Sequence, residues 1–343
     1  MSANVQSPIE ESDIAAAAQL LRAGRLVAFP TETVYGLGAN ALDREAVLRI
    51  YRAKGRPATS PLIVHVASLD MAQSLVAIWP EAADRLASRF WPGALTLVLP
   101  IASAEAVAEA DALGSPGKRG ATVTPRPALP AVVTGGLSTV GLRMPAHPLA
   151  LALIRAAGVP LAAPSANRFT QLSPTSALHV RQGLGTDVDF ILDGGPCAVG
   201  IESTVLSLVE PQPVLLRPGA ISRAELEEVV GPVANAGKLT EGPQPSPGMH
   251  PRHYSPRTPL LPVQDGKLPD RGKGTYLQYR NPPSREDVPS IQMPITAKDY
   301  AVALYERLHQ ADAANHDWIA IDAPPDTPEW EAIHDRLRRA AAK

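Results

Sequence analysis

The first two thirds of the chain alternate helical and strand patterns of apolar residues. Apolar positions at helical spacing predict helices near residues 12–23, 43–52, 68–77 and 81–90. Short apolar runs predict strands near residues 25–29, 61–66, 95–99, 139–144, 159–162, 190–192, 203–209 and 214–217. Helices alternate with strands first and strands then dominate, so the order favours a mixed α/β sheet over a purely parallel one.

Capping residues mark several of these boundaries. Ser12 can cap the first helix and Gly24 can end it. Ser222 with Glu225 forms a capping-box pattern that opens a later helix. The pattern therefore predicts a large first domain over residues 1–228.

A proline-rich segment separates this domain from a smaller one. Seven of the 20 residues from Pro243 to Pro262 are proline, which disfavours both helix and central strand. We predict a stiff, extended connector over residues 229–262. Strand patterns at 275–279 and 318–321, with helices at about 298–311 and from about 329, then predict a small α/β domain over residues 263–343.

One internal segment has no sustained pattern. Residues 102–136 are rich in Ala, Gly and Pro and show no helical or strand period. We expect an extended loop there.

Composition excludes several protein classes. Lys and Arg number 32 against 34 Asp and Glu, so bulk charge does not hold this protein to nucleic acid. The one cysteine, Cys197, excludes an internal disulfide and a zinc site of several cysteines. No apolar run reaches 18 residues and the first 12 residues lack a secretory pattern, so we expect a cytoplasmic protein without membrane contact.

Two glycines follow the first predicted strand. Gly36, Gly38 and Ala41 match the dinucleotide fingerprint G-x-G-x-x-[GA]. That fingerprint requires an acidic residue about 20 positions later, but the next strand ends at His65 and Val66. A nicotinamide nucleotide site is therefore disfavoured, and glycines that only form turns remain an alternative.

Two cations follow the second predicted helix. Lys54 and Arg56 stand beyond its end, separated by Gly55, where they can hold phosphate oxygens. Arg49 and Arg52 precede them, and cations favour a helix C-terminus. A solvated basic helix end is thus an equally good interpretation.

Small polar residues follow a short strand near residue 162. Ser165 and Asn167 suit a loop that binds phosphate or ribose, whereas Ser173, before Pro174, fits a helix cap equally well. Arg143 lies in a strand pattern and needs an anion only if it points inward. Arg217, at a strand end, likewise needs an anion only if its side chain points inward.

Other chemical motifs are missing. The chain contains neither the phosphate-binding G-x-x-x-x-G-K-[ST] nor the G-x-S-x-G nucleophile motif. His250 and His253 have metal-like spacing but no third ligand nearby. Cys197 favours packing over nucleophilic chemistry. We therefore predict no dedicated metal site and no covalent nucleophile.

Seven short motifs together resemble a known fold. They occur in one order over about residues 12–225: Pro30-Thr-Glu-Thr-Val-Tyr-Gly-Leu-Gly, Lys54-x-Arg56 with Ser60-Pro-Leu-Ile-Val-His, Trp91-Pro-Gly-Ala-Leu-Thr, Thr139-Val-Gly-Leu-Arg-Met-Pro, Pro164-Ser-Ala-Asn, Glu202-Ser-Thr-Val and Leu216-Arg-Pro-Gly. This series resembles the YrdC-like fold. The segment from Pro247 to Pro256 resembles the connector of the long form of the threonylcarbamoyl-AMP synthase family.

The resemblance implies a fold and a reaction. The fold is a YrdC-like twisted mixed sheet with helices, followed by a small Rossmann-like α/β domain. The reaction joins L-threonine, bicarbonate or CO2 and ATP into threonylcarbamoyl-adenylate and pyrophosphate, with Mg²⁺ on the ATP. The product would pass to the machinery that transfers the threonylcarbamoyl group to tRNA, and any direct tRNA contact would be weak. An RNA-binding module of the same fold, without adenylate synthesis, is the alternative.

The resemblance also implies two sets of site residues. The threonine set is Thr33, His65, Arg143, Ala163 and Ser203. The ATP set is Lys54, Arg56, Ser60, Thr139, Ser165, Asn167, Ser173, Arg217 and Tyr254. The chain departs from the family in the long segment 102–136, and its C-terminal domain receives no catalytic residue.

Overall fold

A computed structural model describes residues 11–102, 127–236 and 252–342. Up to residue 236 its helices are α1 (Glu11–Arg22), α2 (Arg44–Lys54), α3 (Leu69–Ser74), α4 (Glu81–Phe90), α5 (Ala131–Thr134), α6 (Pro148–Ala157), α7 (Ala177–Leu184) and α8 (Arg223–Val230). The strands of this part are β1 (Val27–Phe29), β2 (Gly36–Asn40), β3 (Ile63–His65), β4 (Leu95–Pro100), β5 (Thr139–Arg143), β6 (Leu161–Ala162), β7 (Phe190–Ile191), β8 (Thr204–Ser207), β9 (Val214–Arg217) and β10 (Ala234–Asn235). From residue 252 onward come β11 (Leu260–Val263), β12 (Gly274–Gln278), β13 (Ser290–Gln292), α9 (Ala297–Ala313), β14 (Trp318–Asp322) and α10 (Glu331–Ala340).

The strands before residue 236 form one mixed sheet in the order β10-β9-β8-β4-β5-β3-β6-β2-β1-β7. Antiparallel pairs such as β1–β2, β3–β6 and β4–β5 alternate with parallel pairs such as β3–β5 and β4–β8. This confirms the predicted mixed sheet. Strands β4, β5, β3 and β6 lie at its centre, where they are buried on both sides.

The two glycines of the fingerprint-like motif lie inside strand β2, so the turn-forming interpretation is wrong. A Cβ atom added at Gly38 would lie 2.8 Å from Cε1 of Phe29, and one at Gly36 would touch the Cβ of Ala163 at 3.4 Å. Glycine is therefore needed there because the Phe29 ring packs directly on the backbone of β2.

One of the predicted N-terminal caps is confirmed, and two are wrong. Helix α8 opens with the predicted capping box of Ser222 and Glu225. Helix α1 begins at Glu11, so Ser12 lies in its first turn rather than at the cap. Ser173 caps no helix, because helix α7 begins four residues later, at Ala177. Its cap is Ser176, whose side chain accepts a hydrogen bond from the backbone of His179.

The described residues after 252 build a second, wholly parallel sheet in the order β11-β14-β12-β13. Strand β11 falls at the end of the predicted connector, and it contains Pro262 at the edge of the sheet, where a missing N–H is tolerated. Residues 237–251 of the connector and 103–126 of the predicted loop lie outside the described residues, while residues 131–134 of that loop form α5.

The second part shares its hydrophobic core with the first. Val34, Leu172 and Ile201 pack in one buried cluster with Leu304 and Tyr305 of helix α9. This shared core places the two parts side by side. None of the helices in the described ranges is long and apolar enough to cross a membrane.

Candidate functional site

A small cavity opens where the centre of the large sheet meets the loops that follow its strands. It has a volume of about 40 Å³, room for only a few water molecules. Eight of the predicted site residues line it: Thr33, His65, Arg143, Ala163, Ser165, Ser203, Arg217 and Tyr254. All five members of the predicted threonine set are among them.

Strand pairing explains why residues distant in sequence meet there. Strands β3 and β5 are parallel, and their register pairs His65 with Arg143. Strand β6 runs antiparallel on the other side of β3, and the Ala163 amide that follows it donates to the carbonyl of Ile63 at 2.9 Å. His65 and Arg143 thus end neighbouring parallel strands, and Ala163 lies beside Ile63, two residues before His65.

Arg143 points inward and has the anion that an inward arginine requires. Its Nη2 donates to Oε1 of Glu32 at 2.7 Å, and its Nε donates to the carbonyl of Gly93 at 3.2 Å. The amide of Ala146 donates to the other oxygen of Glu32 at 2.9 Å. Burial acts to raise the pKa of Glu32, but the Arg143 charge and these hydrogen bonds outweigh it and hold the pKa below its ordinary value.

His65 is neutral at physiological pH. Burial and the neighbouring Arg143 charge lower its pKa to about 3. Thr33, completely buried, shares a 2.8 Å hydrogen bond between hydroxyls with Thr31. The threonine set therefore brings the Arg143 guanidinium, the neutral His65 imidazole and the hydroxyls of Thr33 and Ser203 to one cavity.

Lys54 is buried at the end of helix α2, so the solvated-end interpretation is wrong for this residue and for Arg56. Its Nζ donates to the carbonyls of Ser165 and Asn167, both at 2.5 Å. Gly55, with φ 63°, ends the helix and turns the chain inward. Arg52 of the same helix stays 68% exposed, which shows that the turn separates buried cations from solvated ones.

The buried environment depresses the pKa of both cations. Burial lowers the pKa of Lys54 well below its ordinary value, and the nearby Arg56 adds to the effect. Burial also lowers the pKa of Arg56 to about 10. Arg56 donates to the carbonyl of Pro61 at 3.0 Å and lies 5.7 Å from the ring centroid of Phe169. An incoming anion would favour the charged form of both groups.

Arg217 and Ser203, which both line the cavity, are joined by hydrogen bonds. Nε of Arg217 donates to the carbonyl of Ser203 at 3.0 Å, and Nη2 donates to its hydroxyl at 3.1 Å. The same hydroxyl shares a 2.8 Å hydrogen bond with Thr96 of strand β4. Burial lowers the pKa of Arg217.

Two residues of the predicted connector, His253 and Tyr254, line the cavity. Tyr254 is buried with φ 61°, an uncommon conformation for this residue type, and its ring centroid lies 4.1 Å from that of His253. Burial and the charges of Arg56, Lys54 and Arg217 lower the pKa of His253 well below its ordinary value. His253 therefore lies among the three cations of the predicted ATP set.

The other predicted ATP residues stand behind or away from the wall. Asn167 accepts from Lys54, and Ser173 donates to Glu202, which lines the cavity, at 2.5 Å. Ser60 and Thr139 are half-buried and are not among the described residues that line the cavity.

Sequence reasoning missed two residues that line the cavity, Glu202 and His253, and one that pairs with Arg143, Glu32. Glu32 and Glu202 occur within quoted motifs but received no role, and His253 was considered only for its spacing to His250. The one available signal was the requirement of an inward Arg143 for an anion. That signal does not distinguish Glu32 from a substrate carboxylate.

The surroundings of Cys197 do not favour a nucleophile, and the described residues form no metal-binding cluster. Cys197 is buried, and burial raises the pKa of its thiol to about 12, as its packing role predicts. Within residues 11–102, 127–236 and 252–342, no three His, Cys, Asp or Glu side chains cluster closely enough to hold a metal ion.

Comparisons with known proteins identify the family of the chain. A protein-family model for Sua5, YciO and YrdC proteins, described as "Telomere recombination", matches residues 19–115 and 115–219. A second model, described as "Threonylcarbamoyl-AMP synthase, C-terminal domain", matches residues 221–342.

Two curated relatives named threonylcarbamoyl-AMP synthase align over nearly the whole chain. The one from Bacillus subtilis is 43% identical, covering 96% of this chain and 93% of the relative. The one from Pyrococcus abyssi is 40% identical, covering 98% and 96%. A crystal structure of P. abyssi Sua5 complexed with L-threonine superposes with a TM-score of 0.83 at 39% identity, over 98% of this chain and 96% of that one. The chain belongs to the threonylcarbamoyl-AMP synthase family, in the form that carries the additional C-terminal domain.

Proposed function

We propose that this chain synthesises threonylcarbamoyl-AMP from L-threonine, bicarbonate or CO2 and ATP, and releases pyrophosphate. The observation that carries the proposal is the buried cavity, which Arg143 lines together with the rest of the threonine set and which Arg217 and His253 also line. Lys54 and Arg56 do not line it, but they and Arg217 act electrostatically on His253. Arg143 suits an amino-acid carboxylate, and the three other cations suit a triphosphate.

The threonine subsite selects by charge, hydroxyl and size. Arg143 has five N–H donors, more than its contacts to Glu32 and Gly93 use, so its fork can also bind the substrate carboxylate. Thr33 is the partner for the substrate hydroxyl, and Ala163 provides a small wall for its methyl group. Ser203 and the neutral His65 complete the subsite. Because a buried polar group left unpaired costs about 1–3 kcal/mol, serine should be accepted better than valine.

The ATP subsite is formed by Lys54, Arg56 and Arg217. His253 lies among these three cations and Tyr254 beside it, in the space that a triphosphate would need. Since the cavity holds only a few waters, nucleotide binding moves this wall outward, and Tyr254 then packs against the bound nucleotide.

Ser165, Asn167 and Ser173 support the nucleotide from neighbouring positions, with Ser165 in the wall and the other two behind it. Ser60 and Thr139 belong to the same set by family resemblance. They would meet the nucleotide only after the wall has moved.

The substrate supplies the nucleophile of the reaction. The amine of threonine takes up CO2 and loses a proton to give a carbamate, whose oxygen attacks the α-phosphorus and expels pyrophosphate. The protein orients the two substrates and neutralises phosphate charge, which is the main contribution in phosphoryl and nucleotidyl transfer. No covalent intermediate with a protein side chain is required.

Mg²⁺ would accompany ATP. Glu202, which lines the cavity, and Glu32, which contacts the lining residue Arg143, are each paired with an arginine. The residues therefore fit an ion held by phosphate oxygens and water rather than by a protein cage. When bound, the ion would neutralise charge on the departing pyrophosphate.

Pyrophosphate release tests the proposal. The purified protein with ATP, threonine, bicarbonate and Mg²⁺ should release pyrophosphate in the absence of tRNA, and omission of threonine or bicarbonate should stop it. Tight, salt-sensitive tRNA binding without turnover would instead favour an RNA-binding module. The adenylate product would pass to the proteins that transfer the threonylcarbamoyl group to tRNA in the cytoplasm.

A further inference from the structure

We propose that Arg336, in the C-terminal domain, is a positioning residue for adenylate synthesis: it holds the cavity wall that carries Arg217 and keeps Glu202 from neutralising the ATP-binding cations. The inference rests on the proposed function, and it assigns a role in the reaction to the C-terminal domain.

Arg336 is buried deep in the boundary between the two parts of the chain. Its side chain is 1% exposed, whereas Arg338, two residues later on helix α10, is 74% exposed. Its Nε donates to Oε2 of Glu202 at 2.9 Å and its Nη2 donates to the Glu202 carbonyl at 3.2 Å. Its Nη1 donates to the carbonyl of Pro218 at 2.8 Å. One guanidinium thus joins two segments of the first part of the chain.

Each contacted residue adjoins a residue of the cavity. Glu202 immediately precedes Ser203, and Pro218 immediately follows Arg217, so Arg336 holds the backbone beside both members of this hydrogen-bonded pair. The guanidinium carbon also lies 5.3 Å from the ring centroid of Tyr254. Three portions of the cavity wall are therefore fixed from the C-terminal domain.

The charge of Arg336 matters as much as its hydrogen bonds. Glu202 is buried and also accepts from the hydroxyls of Ser173, at 2.5 Å, and Tyr305, at 3.1 Å. Its carboxylate interacts electrostatically with Lys54 and Arg217, the cations assigned to the triphosphate. Without Arg336, these two cations would have to balance the buried carboxylate. Their capacity to hold ATP would fall, while the threonine subsite at Arg143 would be little affected.

The decisive variant is Arg336→Met, which keeps the length of the side chain but removes its charge and donors. We expect the KM for ATP in pyrophosphate release, and the Kd for ATP by calorimetry, to rise about tenfold. The KM for threonine should stay within about twofold of the wild-type value. Arg338→Met on the same helix is the matched control and should leave both constants unchanged.

A second variant separates positioning from folding. In Glu202→Gln/Arg336→Met the buried Glu202 charge is removed together with its partner, and Asp335, which also pairs with Arg336, keeps its ion pairs with Arg338 and Arg339. The double variant should therefore fold and should bind ATP more tightly than Arg336→Met alone. Arg336→Lys keeps the charge but cannot reach Glu202 and Pro218 together, so its effect on ATP should be intermediate. Circular dichroism and thermal unfolding confirm that each variant is folded.

The outcomes separate the two proposals. The positioning role is overturned if Arg336→Met matches Arg338→Met, if the constants for ATP and threonine rise equally, or if the double variant binds ATP no better than the single one. Failure of the proposed function would appear in the wild-type protein, as ATP binding without pyrophosphate release. The calorimetric comparison among variants would then still test the role of Arg336.

Discussion

Replacing Arg143 by methionine should have two separable effects, one on threonine and one on stability. A hydrogen bond to a charged partner contributes about 1.5–3 kcal/mol, so losing it should raise the KM for threonine about 10- to 150-fold. The KM for ATP should change far less, because Lys54, Arg56 and Arg217 are untouched. Pyrophosphate release, with threonine varied at saturating ATP and then the reverse, measures both constants.

The same substitution leaves Glu32 as an uncompensated buried carboxylate. The Glu32 side chain is 12% exposed, and besides Arg143 the structure gives it a hydrogen bond from the Ala146 amide. Breaking one side of a buried ion pair typically costs about 3–5 kcal/mol, which urea unfolding would detect. In Glu32→Gln/Arg143→Met most of that stability should return, since no unpaired charge remains, while the KM for threonine should stay high.

Two results would refute this reasoning. Equal increases in the KM values for threonine and ATP would show that Arg143 does not belong to a separate threonine subsite. Recovery of threonine affinity in the double variant would show that stranding Glu32, rather than losing the Arg143 fork, weakens binding.

Three further predictions concern other parts of the molecule. Arg56→Ala should raise the KM for ATP about tenfold and that for threonine much less, and equal increases in the same assay would contradict the assignment. Burial and the stacked His179 lower the pKa of His309 to about 4. Because His309 in the unfolded chain takes up a proton near pH 6.5, the free energy of unfolding should fall between pH 6.5 and 4 by up to about 1.4 kcal/mol per pH unit. His309→Asn should reduce this slope in urea unfolding. Gly38→Ala should cost about 1–3 kcal/mol against the Phe29 ring, whereas Gly183→Ala, with open space around it, should stabilise by about 0.4–1 kcal/mol.

The mixed sheet and most of its strands could be predicted from the sequence because their apolar runs are short and bounded by turn residues. Strand β2 could not be predicted, because Gly36 and Gly38 have low strand propensity. Glycine fits these positions because the Phe29 ring packs against them, a tertiary contact that the local sequence does not show. Strand β11 was not predicted because it contains Pro262, and proline is tolerated in a strand at the edge of a sheet, where β11 lies.

The sequence predicted which residues belong to the candidate site but not which hydrogen bonds and ion pairs join them. Family resemblance selected Arg143 and Arg217, and the structure places both on one cavity. Their partners come from segments far away in sequence, with Glu32 lying 111 residues before Arg143. No local pattern specifies such a pairing, because it depends on which strands become neighbours.

The pairing of Glu202 with Arg336 has a consequence during protein synthesis. The two residues are 134 positions apart, so a ribosome that adds about 5–20 residues per second needs on the order of ten seconds to pass from one to the other. Throughout that interval Lys54 and Arg217, rather than Arg336, would have to balance the Glu202 carboxylate. If Arg336 has the proposed role, full affinity for ATP therefore arises late, when the last helix docks.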